Sequence, residues 1–182
     1  GGITMAVTIN GTTNVITPTS AVQPTGAILQ VLQTVKTDTQ TGTTSGTDWI
    51  EVSGLTQAIT PIATSSKVLV NISLGCDIET NHNGLVAQLF RDSTEIMQAD
   101  ALNSNIRCSF ALAHSNFAKK VPQYTTSFLD SPSTTSAITY KIKLKDGNGD
   151  GGKIFVNRSR DTSTSNDTMV TCSSITLMEV AG

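Results

Sequence analysis

The chain has 182 residues, which fits one domain with an appended arm and a core that buries roughly two-thirds of the surface exposed by the unfolded chain. Only 14% of residues are charged, the net charge is −2, and the one adjacent basic pair is Lys119-Lys120, so no field draws in phosphate backbones and nucleic-acid binding is not expected. No stretch reaches the ~20 apolar residues of a membrane span, and the opening residues lack the basic-then-apolar order of a signal peptide.

Residues 1–26 read as an arm and 27–182 as the head domain. Within the arm, Met5 reads as a native start that makes residues 1–4 a remnant, and Met5, Val7 and Ile9 alternate before turn-formers through Pro18 and Pro24. An alternating strand with no neighbour in sequence is expected to borrow a sheet edge, from the same domain or from another copy. From residue 27 onward, period-2 runs recur between turn signals. Residues 28–36, 49–52 and 55–60 are strand candidates, with a Gly- and Thr-rich loop over 41–48. In the next run Val68, Val70, Ile72 and Leu74 share one face, and Leu69, Asn71 and Ser73 the other. Residues 85–91, 94–98, 106–112, 124–129, 138–144, 153–157 and 169–180 follow, with Ile138, Tyr140, Ile142 and Leu144 opposing Thr139, Lys141, Lys143 and Lys145. Turn clusters fall at Arg91-Asp92-Ser93, at Asp130-Ser131-Pro132-Ser133 and in the Gly-rich stretch 146–152. No window carries a helical stripe, so the expected fold is an all-β antiparallel sandwich of the jelly-roll kind, with about ten to twelve short strands.

Candidate chemistry is sparse, and the sequence assigns no catalytic or cofactor-binding residue. Asp146, Asn148 and Asp150 place oxygen ligands at alternate positions before Gly151, as in the first half of a calcium loop. The twelfth position, which should supply a bidentate Glu, is Asn157, and the flanks read as strands, so a hairpin loop is the plainer reading. His82 and His114 lie in loop-like contexts without further ligands at metal-site spacing. No Gly-x-Ser-x-Gly elbow occurs, and the carboxylates are scattered where glycoside cleavage needs two across a cleft. Trp49, Tyr124 and Tyr140 exhaust the amphipathic aromatics on which sugars stack. Cys76, Cys108 and Cys172 follow no Cys-x-x-Cys spacing and read as small buried side chains in strands.

The segments 30–39 (QVLQTVKTDT), 59–70 (ITPIATSSKVLV), 89–96 (LFRDSTEI), 127–136 (SFLDSPSTTS), Val156-Asn157-Arg158 and 175–182 (ITLMEVAG) resemble features of virion structural proteins of marine phages and cyanophages. Such proteins serve as tail-fibre, spike or capsid-surface components, and the strand pattern is similar to the trimeric jelly-roll heads of the C1q and tumour-necrosis-factor type. The resemblance implies a homotrimer on the virion surface, made in the host cytoplasm and joined to other virion proteins through the arm. Host-receptor contact would fall to loops at 37–48, 81–84, 113–123 and 160–167. A capsid decoration (cement) or head-fibre role is the alternative it leaves, and a carbohydrate-binding or carbohydrate-cleaving module stands further off. No coiled-coil, collagen or β-helix repeat precedes residue 27, which leaves a short arm for attachment.

Overall fold

The structure, a computed structural model, describes residues 7–10, 15–18, 24–44, 48–79, 84–112, 119–147, 151–161, 163, 166 and 168–182, with backbone alone at 7–10 and 15–18. The described residues form strands and no helix, as the period-2 pattern requires. In chain order the strands are β1 (Val7–Asn10), β2 (Val15–Pro18), β3 (Ile28–Lys36), β4 (Gln40–Thr43), β5 (Ile50–Ile59), β6 (Lys67–Ile78), β7 (Leu85–Arg91), β8 (Thr94–Ile96), β9 (Phe110–Leu112), β10 (Gln123–Asp130), β11 (Ile138–Asp146), β12 (Lys153–Val156) and β13 (Ser173–Val180).

One sheet runs β3-β13-β6-β12-β4 with β10 also on β6, and the other runs β5-β11-β7-β8 with β9 also on β7. The registers show that several of these strands lie end to end. β13 pairs β6 up to Ser174↔Ser73, and β12 takes over at Val156↔Cys76. On the far side β3 ends at Lys36↔Ser173 and β4 resumes at Gln40↔Val156. β8 and β9 likewise share one flank of β7. Outside the arm, merging these pairs leaves eight strand positions, in the order 1-8-3-6 in one sheet and 2-7-4-5 in the other. That is the interleaving of two Greek keys, a jelly roll.

Apolar side chains from both inner faces fill the space between the sheets. Leu74, Leu89, Ile142, Leu144, Ile175 and Leu177 are all fully buried, each worth about 1.5–3 kcal/mol relative to exposure. β11 holds the second sheet together between β5 and β7, and its inward Ile138, Tyr140, Ile142 and Leu144 are buried as their alternation requires.

Several boundaries differ from the sequence expectation. The two short strands at 49–52 and 55–60 are one strand, β5, because Gly54 takes a left-handed φ of 74° and lets the chain bulge where the β11 register shifts between Lys141 and Lys143. The expected loop at 41–48 contains part of β4, whose partner β12 lies more than a hundred residues away and leaves no local signal. The expected strand at 106–112 shrinks to Phe110–Leu112. Its first half bridges the gap between β8 and β9 on the flank of β7, where Ser109 Oγ accepts from Leu89 N at 2.9 Å and donates to Ile96 O at 3.1 Å. In the arm, the alternating strand does not lack a local partner: β1 pairs antiparallel with β2, in register from Val7↔Pro18 to Asn10↔Val15. Residues 11–14, which join the two strands, lie outside the described residues.

Candidate functional surface

Three groups of buried polar side chains brace the sandwich where strands break or sheets meet. At the double break in the first sheet, Asn157 is fully buried with φ 58°. Its Nδ2 donates to Lys36 O at 2.9 Å and Asp38 O at 3.0 Å, while its Oδ1 accepts from Ser173 Oγ at 2.6 Å. Its backbone N–H donates to Gly75 O at 2.8 Å. One side chain thus supplies the donors and acceptor that the interrupted ladders β3–β4 and β12–β13 lack.

Between the sheets, Asp130 at the end of β10 accepts from Tyr140 Oη at 2.7 Å and Arg91 Nη1 at 2.8 Å, both on Oδ2. Burial, followed by the bond to Asp130, pushes the Tyr140 phenol far above the ordinary range. A third brace lies under the 61–66 turn, where the carboxylate of buried Glu179 accepts from Ile62 N at 2.7 Å and Gln30 Nε2 at 2.6 Å. Burial alone would raise its pKa, but hydrogen bonds from Ser66, Gln30 and the Ile62 and Ala63 amides outweigh that and hold it below the usual value of 4.5.

The sequence candidates are not brought together as a site. Asp146 is fully buried and its Oδ2 accepts from Gly152 N at 3.2 Å, so the first and twelfth positions of the calcium-loop pattern are both engaged with the fold's own backbone. Asn148, Asp150, His82 and His114 lie outside the described residues. No cluster of three or more His, Cys, Asp or Glu occurs among the described residues. Of the three cysteines, all with free thiols, Cys76 is buried as expected, Cys108 is half-buried and Cys172 is exposed, which corrects the buried reading of the last two. Burial, and then neighbouring Asp77, pushes the Cys76 thiol upward. Trp49 is half-buried with Lys145 Nζ 5.8 Å from its ring centroid, Tyr124 packs against the core and Tyr140 is within it.

What sequence reasoning missed is a contrast between the two outer faces. On the second sheet, outward Lys141 pairs with Glu51 at 3.2 Å, Lys143 lies 4.5 Å over the Phe90 ring, and Glu95 sits on β8. On the first sheet, the registers place Val31, Met178, Leu69 and Leu129 in one row across β3, β13, β6 and β10. The next row is Gln33, Thr176, Asn71 and Ser127, and the one after it Val35, Ser174, Ser73 and Thr125. None of these twelve side chains is ionisable, and Glu179, on the same strand as three of them, faces the interior. Small hydroxyl residues of the last two rows floor a shallow hollow of about 420 Å³. The signal existed in sequence as four strands whose ionisable residues fall only at their ends or inside, but choosing the outward set needed the fold.

The head is therefore an all-β jelly roll with braced strand breaks and two unlike outer faces. No protein-family model matches the chain, and no curated protein does. Among solved structures it is similar to VP2 of infectious bursal disease virus in a subviral particle, at 11% identity and a TM-score of 0.41, over 97% of this chain and 42% of that one. The Gx strain of the same virus gives 11% identity and a TM-score of 0.42, over 97% and 41%. The chain spans about two-fifths of those chains, and a likeness of this degree carries no argument about function.

Proposed function

We propose that this chain is a structural protein of a bacteriophage virion, a surface-exposed homotrimeric jelly roll that acts by contact and forms a tail-fibre or spike head engaging the host. The observation that carries the reading is that the buried polar side chains traced through the head, Asn157, Asp130, Tyr140, Glu179 and Asp146, are engaged in bracing strands. Jelly rolls serve mainly in viral shells and in lectins and cupins, and fold alone does not choose among them. A lectin needs an exposed aromatic platform, whereas the three amphipathic aromatics here are packed or shielded. The motifs quoted for phage structural proteins favour the virion.

The test is localisation in intact particles. Mass spectrometry of purified phage should find the chain in stoichiometric amounts, and electron microscopy with a labelled copy should place it at the tail. Label on the shell would move the reading to a decoration protein, and absence from purified particles would refute a virion role.

A further inference from the structure

We infer that the outer face of the β3-β13-β6-β10 sheet is the contact surface between copies of this chain, an inference that rests on the oligomeric reading above and names its surface. The outward rows lack ionisable groups, while Glu51, Lys141 and Lys143 stand on the opposite face. Interface cores are depleted in charge because a desolvated ion must find a partner. A face without charge meets no like-charge repulsion when it packs on itself, and it offers nothing to orient a charged partner.

The relief of the face points to the same occupant. Val31 and Leu129 are 55% and 46% exposed and, with Met178 and Leu69, form an apolar ridge across four strands. Beside it lies the hollow lined by Asn71, Ser73, Thr125, Ser127, Ser174 and Thr176. Ridge and trough are adjacent and parallel, so the ridge of one copy seats in the trough of the next, and a closed ring repeats that contact at each boundary. Four strands about 4.8 Å apart and about eight residues long span roughly 500 Å² in projection, a footprint of the order of the ~800 Å² of accessible surface per partner in a standard interface. Beyond the ridge the next row holds Ile28, 51% exposed at the start of β3, and exposed Lys67, both in register with Val180, so the uncharged patch is bounded there by a lysine.

The experiment measures mass by light scattering and sedimentation on the full chain and three variants. Val31→Lys with Leu129→Lys charges the exposed ends of the ridge without entering the core, Thr125→Trp fills the trough, and Thr56→Lys charges the opposite face as a control. Wild type should be a multimer at micromolar concentration. The ridge and trough variants should weaken association by roughly a hundredfold or more, since like charges buried together repel strongly and an overfilled trough excludes the ridge, with unchanged circular dichroism and the control unaffected. A wild-type monomer at all concentrations would overturn both this surface and the oligomeric reading. A multimer indifferent to the ridge and trough variants would overturn the surface alone, and its dissociation by Thr56→Lys or by deletion of residues 1–23 would then show which other surface holds it.

Discussion

Replacing Asn157 by Ala tests whether one side chain closes the double break in the first sheet. The substitution removes the donor from Lys36 O and Asp38 O and the acceptor from Ser173 Oγ. Asp38 is exposed, so water can reach its carbonyl and the loss there is small. Lys36 and Ser173 are buried, and each group left unsatisfied costs about 1–3 kcal/mol. Holding Ala at a φ of 58° adds about 1 kcal/mol. The expected loss is therefore about 3–7 kcal/mol, a large part of the roughly 5–15 kcal/mol that stabilises a domain. Asn157→Gly relieves the backbone term and should recover about 1 kcal/mol of it. Asn157→Asp keeps the acceptor but turns a carboxylate toward two carbonyls, so its protonated form is favoured in the fold and the variant should gain stability as pH falls. Urea denaturation followed by circular dichroism measures all three. A loss below about 1 kcal/mol for Asn157→Ala, with an unchanged m-value, would refute the brace.

Glu179 has its pKa held below 4.5, so its contribution is present above that value and disappears as pH falls through the folded-state pKa. Glu179→Gln should thus be less stable than wild type at neutral pH and nearly equal to it in strong acid, and parallel melting curves across that range would contradict the assignment. Tyr124 is pushed up to about 12, first by burial and then by Cys76 and Asp77, and Tyr140 higher still. The tyrosinate absorbance should therefore stay flat past the ordinary tyrosine pKa of about 10 and rise only at more alkaline pH or on unfolding. Because the folded-state values are raised, the stability these phenols contribute is fully present at neutral pH and fades as alkali reaches them. Full titration of both tyrosines near pH ~10 in the native state would be inconsistent with this packing.

The amino-acid order by itself determined the fold class and most strands. Residues 28–36 and 85–91 match β3 and β7 in full, because short apolar-rich runs bounded by turn-formers, Asp92 among them, are local signals, even though β3 is partly exposed along one face and β7 is buried on both. The same local signals could not locate β4, whose strand character comes from β12 far along the chain, nor the merger of two strands through Gly54. Asn157 is the sharpest case. In sequence it is the end of a strand and the weak twelfth place of a calcium pattern, and only the meeting of Lys36, Ser173 and Gly75 around it makes it a brace. The outer faces divide the same way. Lys141 and Lys143 declare a solvated face from their spacing alone, although Lys145, next in that series, is buried with its ammonium toward Trp49. The uncharged face is written across four strands separated by up to about a hundred and fifty residues, and only pairing them in register assembles its ridge and its trough.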